Sequence, residues 1–301
     1  DQAFEVGLSC GGTIHVWVEA VSPGDPHGPD GAGAAGWGEA GAVRRGLSGP
    51  LLRRLASAVR EGRAVALVRV LAAGDARPGM GPGAAFLVHE APEDGHDGST
   101  GDAGLDALLA SRAREFIARG VTARERVGGV DVFIHAFTPP PVLYIIGAVH
   151  PAAALAEAGR FLGYRVVVCD PRSPFATPER IPAAHEIVHR WPDEYLASVA
   201  LTPRDAVCVL THDLKFDVPA LLAALRTPVG YIGVMGSRRT HERRVAALRE
   251  AGVTEEGLRR LHAPIGLEIG ARTPEELAIA IVAEIVASRN RDAATRIPAT
   301  T

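Results

Sequence analysis

The sequence predicts an α/β protein built from two domains, a mixed α+β N-terminal domain followed by a parallel-sheet domain. Its 301 residues are enough for each half to bury a core of its own. In the second half, apolar runs of strand length alternate with helical segments, which is typical of a parallel sheet covered on both faces. The proline run TPPPV at 138–142 is a stiff connector. We therefore expect domains at 1–137 and 138–290, followed by a flexible tail at 291–301.

The first half mixes strands and helices with irregular segments. Apolar patterns predict strands at 13–20, 64–73, 84–90 and 130–137. Helical patterns predict one helix at 48–62, with Ser48 as a candidate N-cap, and another at 105–120, ended by Gly120. Segments rich in glycine, proline or short polar residues predict loops at 21–43, 77–83 and 91–104.

The second half is more regular. Buried-type apolar runs predict strands at 142–150, 164–170, 205–213 and 228–236. Helices are predicted at 151–163, 193–200, 217–226, 237–252 and 273–289. Pro151 suits the first turn of its helix, and Thr273 with Glu276 has the spacing of a capping box.

Composition excludes several classes of protein. A net charge of -3 lacks the basic excess of a nucleic-acid binder. No apolar run approaches the roughly 20 residues that span a bilayer, so we expect no membrane span. Three scattered cysteines do not form a disulfide framework, which favours a reducing, cytoplasmic location. The sequence has no paired Cys-x-x-Cys, so it does not indicate a structural zinc site.

The turn after the first strand of the second half partly matches a dinucleotide-binding motif. Gly147 keeps the first glycine of G-x-G-x-x-G, whereas Val149 and Ala152 replace the other two. Asp170 follows the second strand, where an acid would bind ribose hydroxyls. The topology therefore predicts a Rossmann-like sheet, and binding of NAD(P) is the less favoured interpretation, because valine adds a side chain where pyrophosphate approaches the backbone.

Polar residues follow two further strands at the edge where open parallel sheets bind ligands. The segment THDLKFD supplies His212, Asp213, Lys215 and Asp217 as candidate site residues. We assign His212 and Asp213 candidate catalytic roles, and Lys215 and Asp217 cofactor-binding roles. The two aspartates could instead simply cap the following helix, and this alternative stays open.

A candidate anion site follows the strand at 228–236. Gly236 and Ser237 precede a helix start, and Arg238 and Arg239 add two guanidinium groups, so the segment predicts phosphate binding. Arg243 and Arg244, further along the helix, are expected on a solvated face.

Asp170 and Arg172 close the second strand and join the cofactor-binding candidates together with Gly147. Cys10, in GLSCGG, lies among small residues that leave a thiol accessible. A thiolate is a soft metal ligand and a sulfur nucleophile, so Cys10 is a candidate for contact with sulfur or metal. The alternative is a small buried side chain at a strand start.

Several segments together resemble the XdhC/CoxI family, the accessory proteins of xanthine dehydrogenase and aerobic carbon monoxide dehydrogenase. They are VGLSCGGTIHVWVE, GYRVVVCDPRSPFATPERIP, VLTHDLKFDVPALLAALR, YIGVMGSRRTHERR and LHAPIGLEIGARTPEELAIAIVAEI. The resemblance is most specific from 143 to 289. The turn after the first strand departs from the family pattern at Val149 and Pro151, and we expect the N-terminal domain to lack the family's usual start.

The resemblance implies a maturation chaperone rather than a metabolic enzyme. Family members bind the molybdenum cofactor (molybdopterin), help to sulfurate it with a cysteine desulfurase, and deliver it to an apo-molybdoenzyme of the xanthine or carbon monoxide dehydrogenase type. It further implies a homo-oligomer. Contact of Cys10 with the molybdenum is our own hypothesis for that thiol, beside sulfur handling and simple packing. Two other functions remain open at this point, an NAD(P)-dependent oxidoreductase and a docking scaffold without cofactor.

Overall fold

The computed structural model describes residues 48–73 and 83–290. The chain divides into two compact units, Asp1–Pro139 and Pro140–Thr301. The strand predicted at 13–20, the loop predicted at 21–43 and the tail predicted at 291–301 lie outside the described residues, as does nearly all of the turn predicted at 77–83.

The first unit is an antiparallel sheet with helices on both faces. Its described elements are α1 (Gly49–Arg60), β1 (Val65–Ala73), β2 (Ala85–His89), β3 (His96–Asp97), α2 (Ala103–Arg119), β4 (Thr122–Val127) and β5 (Val130–Phe137). The strand order is β3-β2-β1-β5-β4, with antiparallel neighbours. Side chains of α2 pack on one face of the sheet, whereas α1 packs on the other around Leu67 and Leu87.

Local signals explain the helix ends in this unit. The Ser48 side chain accepts the N–H of Leu51 at 3.3 Å and so caps α1, as predicted. Gly120 ends α2 in the left-handed conformation, with φ of 62°. Two strands were not predicted: β4 is an edge strand with mostly exposed side chains, and β3 is a two-residue strand inside the segment predicted to be a loop. Neither carries the apolar alternation that reveals a half-buried strand.

The second unit is a parallel sheet covered by helices on both faces. Its described elements are β6 (Val142–Ile146), α3 (Pro151–Phe161), β7 (Arg165–Cys169), β8 (Glu186–Val188), α4 (Pro192–Ala197), β9 (Ala206–Val209), α5 (Leu214–Leu225), β10 (Tyr231–Val234), α6 (Arg238–Glu250), α7 (Glu255–Arg259), β11 (Leu261–His262) and α8 (Pro274–Arg289). The strand order is β11-β10-β9-β6-β7-β8, and every pair is parallel. The predicted α/β class is therefore confirmed.

Alternate residues of the central strands form two cores. One core packs against α3 and α8 and contains Leu143, Ile145, Val166, Val168 and Cys208. The other packs against α4, α5 and α6 and contains Tyr144, Ile146, Val167, Cys169 and Val207. Because both faces are covered, the strands show continuous apolar runs instead of alternation, which is why the sequence revealed them.

The differences from the predicted elements lie in short or capped segments. β8, β11 and α7 were not predicted, since they have only three, two and five residues. α5 begins at Leu214 rather than at 217, because the Asp213 side chain accepts the Lys215 N–H at 3.0 Å and caps the helix there. The predicted capping box of Thr273 and Glu276 is present at the start of α8.

Candidate functional site

The candidate site lies at the carboxyl edge of the parallel sheet, at the point where the strand order reverses. β6 pairs with β7 on one side and with β9 on the other. The connection that leaves β6 therefore leads towards β7, whereas the connection that leaves β9 leads away in the opposite direction. Gly147 follows β6 with φ of 102°, and a Cβ on it would lie 2.4 Å from the Thr211 Cγ2 atom. Glycine is therefore needed for the two loops to approach each other here.

The Asp170 carboxylate, at the end of β7, is fully engaged with protein donors. Its oxygens accept the N–H of Ala148 at 2.8 Å, the N–H of Arg172 at 2.9 Å, and the Arg172 Nε and Nη2 atoms at 2.9 and 2.7 Å. The side chain is 1% exposed. Burial alone would raise the pKa of Asp170, but these hydrogen bonds outweigh burial and hold the pKa below its ordinary value. Asp170 thus fixes the turn after β6 and orients the Arg172 guanidinium.

A buried ion pair joins α5 to α6. The Arg244 Nε and Nη2 atoms lie 2.7 and 2.6 Å from Asp217 Oδ2, and Nη2 also donates to the Thr211 carbonyl at 3.1 Å. The Thr211 hydroxyl donates to the other oxygen of Asp217. The expectation that Arg244 lies on a solvated face is wrong: its side chain is 1% exposed, because Asp217 offers it a buried carboxylate. Burial raises the pKa of Asp217, while Thr211 and Arg244 act against that rise.

The segment after β9 divides its predicted residues between local structure and exposed surface. Asp213 is the N-cap of α5, in agreement with the capping alternative. Asp217 is not a cap but lies inside the helix, in the ion pair described above. His212 is exposed and has no hydrogen bond to another described residue. The Lys215 Nζ atom lies 5.4 Å from the ring centroid of Trp191.

The predicted anion site lies where β10 leads into α6. Ser237 is the N-cap, and its hydroxyl accepts a backbone N–H of the first turn at 3.3 Å. Gly236 has φ of 138°, and a Cβ on it would lie 3.0 Å from the Arg244 Nη1 atom. Arg238 and Arg239 are exposed, and neither forms an ion pair with another described residue. The positive end of a helix of 13 residues and two exposed guanidinium groups can together bind an anion.

Sequence reasoning missed a stack of rings and cations at the same edge. We call it the aromatic–cationic ladder, and its members are Arg180, Phe175, Arg172, Phe216, Trp191 and Lys215. They come from the connection between β7 and β8, from the N-cap of α4 and from the first turn of α5. Because these segments are far apart in the chain, no local pattern in the sequence indicated the ladder.

The described cysteines do not resemble reactive thiols. Cys169 and Cys208 are buried, and burial raises the pKa of both, that of Cys169 to about 12. Cys10 lies outside the described residues. Within 48–73 and 83–290, no group of three or more His, Cys, Asp or Glu side chains is arranged to hold a metal ion. None of the helices in this part of the chain has both the length and the apolar content to cross a membrane.

Comparison with known proteins identifies a family for most of the second unit. Residues 143–285 match the family model described as XdhC Rossmann domain. YqeB of Escherichia coli (strain K12) is 37% identical over 164 residues, which are 54% of this chain and 30% of that protein. A protein of Bacillus subtilis (strain 168), named as a probable subunit of xanthine dehydrogenase, is 30% identical over 161 residues, which are 54% of this chain and 47% of that protein.

A third relative is named for its handling of a cofactor. The "Molybdenum cofactor insertion chaperone PaoD" of Escherichia coli (strain K12) is 37% identical over 93 residues, which are 31% of this chain and 29% of that protein. The matches thus span less than half the length of each of these curated relatives.

Proposed function

Residues 143–285 belong to the XdhC Rossmann domain family, and we propose from this premise that the chain is a maturation and insertion chaperone for the molybdenum cofactor. Its client is an apo-molybdoenzyme of the xanthine or carbon monoxide dehydrogenase type. The names of two relatives support this proposal, since one refers to xanthine dehydrogenase and the other to cofactor insertion. Sulfuration with a cysteine desulfurase, self-association and a cytoplasmic location are parts of the same proposal.

The observation that carries the proposal is the exposed anion site at the start of α6. The molybdenum cofactor is a pterin that bears a phosphate and a dithiolene, and the dithiolene holds the molybdenum that the cofactor brings to the client. Its phosphate suits the first turn of α6, where Ser237 caps the helix end and Gly236 lets the Arg244 guanidinium approach the backbone. Arg238 and Arg239 supply charge that no other described residue neutralises.

The remaining predicted residues have different roles in this proposal. Gly147 permits the close approach of two loops, while Asp170 and Asp217 position Arg172 and Arg244 and do not touch the cofactor. Exposed His212 and Lys215 are accessible for hydrogen bonds to polar edges of the cofactor, and Asp213 caps α5 beside them.

Sulfur or metal contact remains assigned to Cys10. Cys169 and Cys208 are poor candidates, because burial raises the pKa of each thiol and keeps it protonated at neutral pH. The alanine variant of Cys10 distinguishes its roles in the experiment below. Loss of pterin from Cys10→Ala indicates a contact with the cofactor, whereas full retention leaves sulfur handling or packing.

Binding of NAD(P) is disfavoured by the Asp170 geometry. The carboxylate that would accept ribose hydroxyls already accepts four hydrogen bonds from the protein. A dinucleotide would have to displace Arg172 to reach it. We expect no change in NADH fluorescence on addition of the protein.

The test is retention of cofactor after incubation with molybdenum cofactor and desalting, read as pterin and molybdenum content. We expect the wild type to retain pterin, and Arg238→Ala/Arg239→Ala to lower the affinity by more than about tenfold, because charged hydrogen bonds contribute roughly 1.5–3 kcal/mol each. The matched control is Arg160→Ala/Arg259→Ala, which removes two exposed charges of the same unit outside α6. A wild type without pterin contradicts the function, whereas equal retention by the Arg238/Arg239 variant contradicts only the phosphate position.

A further inference from the structure

The aromatic–cationic ladder is a continuous stack that reaches the protein surface. The rings of Trp191 and Phe216 lie 5.0 Å apart with an interplanar angle of 26°. The Arg172 guanidinium lies 4.9 Å from the ring centroid of Phe175 and 5.7 Å from that of Phe216. The Lys215 Nζ atom lies 5.4 Å from Trp191 and 5.6 Å from Phe216. Rings and cations from three separate segments of the chain therefore form one connected set of contacts.

The centre of the ladder is held rigidly by buried structure. Arg172 donates to both oxygens of Asp170, which also holds the N–H of Ala148 in the turn after β6. Phe216 belongs to the first turn of α5, which Asp213 caps. Rings held in this way lose little conformational entropy when a ligand stacks on them, so the ladder is organised before binding.

The outer members of the ladder remain accessible. Trp191 is 40% exposed and Phe175 is 44% exposed. The cations Lys215 and Arg180 contact rings but form no ion pair with a carboxylate among the described residues. Their N–H groups are donors only, so they can be matched by carbonyl oxygens or ring nitrogens at the edge of a planar molecule.

We propose that the ladder binds a planar heterocycle with acceptor atoms at its edge, which stacks on Trp191 while Lys215 donates to those acceptors. This inference rests on the proposed function in one respect, that the heterocycle is the pterin of the molybdenum cofactor. A pterin carries a carbonyl oxygen and ring nitrogens on a conjugated plane, which is the required chemistry. Stacking on an aromatic side chain tolerates many ring systems, and edge donors then select among them.

A protein partner is the competing occupant of this surface. Exposed tryptophan and arginine are frequent in the centres of protein interfaces. The stacked rings and the donor-only cations favour the heterocycle, because a planar ring can extend the stack at Trp191 and accept a hydrogen bond from the neighbouring Lys215.

The experiment is a fluorescence titration of pterin-6-carboxylate with the full chain. We expect Trp191→Leu to weaken binding by about tenfold or more, since loss of one stacking partner is worth roughly 1–3 kcal/mol. Trp191→Phe keeps a ring and is expected to recover most of the affinity. The matched control is Phe161→Leu, because Phe161 is 91% exposed and has no ring or cation contact within the described residues.

The outcomes separate this inference from the proposed function. Equal affinity of wild type and Trp191→Leu, or no binding of the probe to wild type, overturns the ladder as a binding site. If wild type and Trp191→Leu retain intact cofactor equally, the ladder does not bind the pterin, and the proposed chaperone function is unaffected. Binding of the probe by wild type, lost in Trp191→Leu, supports the ladder even if intact cofactor is not retained. If Trp191→Leu binds the probe as wild type does but no longer captures apo-xanthine dehydrogenase, the surface belongs to a protein partner instead.

Discussion

Removal of one partner of the buried ion pair between Asp217 and Arg244 is expected to destabilise the second unit strongly. The proposed change is Arg244→Met, which keeps much of the side-chain volume and removes the guanidinium. The Asp217 side chain is 0% exposed and would keep the Thr211 hydroxyl as its remaining described donor. Removal of one partner of a buried pair costs about 3–5 kcal/mol, because the other charge stays buried without compensation.

The double variant separates the pair itself from the penalty of an unpaired charge. In Asp217→Leu/Arg244→Met no charge remains, and apolar replacement of a buried pair is often neutral. We therefore expect the double variant to be more stable than Arg244→Met, although each substitution alone is destabilising. Simple additivity would instead give a double variant weaker than either single one.

Urea unfolding followed by circular dichroism measures these differences. With a slope of roughly 2 kcal/mol per molar urea, a loss of about 3–5 kcal/mol moves the midpoint by roughly 1.5–2.5 M. The control is Arg243→Met, since Arg243 is the exposed neighbour on α6 and its substitution should change stability by less than about 0.5 kcal/mol. A midpoint for Arg244→Met equal to that of the control would contradict this prediction, as would additive losses in the double variant.

Two other predictions concern the carboxyl edge. Gly147→Ala should destabilise the protein by roughly 2–4 kcal/mol, because an L residue is strained at φ of 102° and its Cβ would meet Thr211 Cγ2 at 2.4 Å. Adding Thr211→Ser removes that methyl group and keeps the hydroxyl, so the double variant should recover part of the lost stability in thermal unfolding. No recovery would contradict the steric explanation. Asp170 has a folded-state pKa below its ordinary value of 3.8, so its stabilising effect is complete above that value and is lost as pH falls through the folded pKa. Asp170→Asn should therefore be less stable than wild type in urea unfolding at pH 7, and the difference in free energy of unfolding between the two proteins should be smaller at pH 3. A difference that stays the same at both pH values would argue against an ionised Asp170.

Sequence patterns predicted most of the fold because its main elements carry strong local signals. The central strands are continuous apolar runs, and α6 and α8 begin at the caps Ser237 and Thr273. The elements that were missed lack such signals. β8 and β11 owe their strand conformation to pairing with a neighbouring strand, and β4 is an edge strand whose side chains are mostly exposed.

The candidate site was predicted in its location and less well in its details. The carboxyl ends of parallel strands meet at one edge of a sheet. The residues that follow β6, β7, β9 and β10 are therefore expected at that same edge. The sequence could not show that the Asp170 carboxylate is saturated, because one of its donors, Ala148, lies 22 positions away in another loop. Likewise, the local pattern predicts a solvated Arg244, because its partner Asp217 lies 27 positions away.

Periodicity and helix caps act over a few residues, so the sequence alone was enough to predict the α/β class, the order of the long elements, and the edge at which polar residues collect. Tertiary packing, in contrast, sets which charges are accessible to a ligand and which are used internally. Arg238 and Arg239 remain exposed, whereas Arg244 on the same helix is buried by its contact with α5. The stack of Trp191 on Phe216 also arises only from packing, since the two rings are 25 positions apart and meet where α4 and α5 begin. Whether two side chains pair depends on their distance in space, which packing sets and local patterns do not encode.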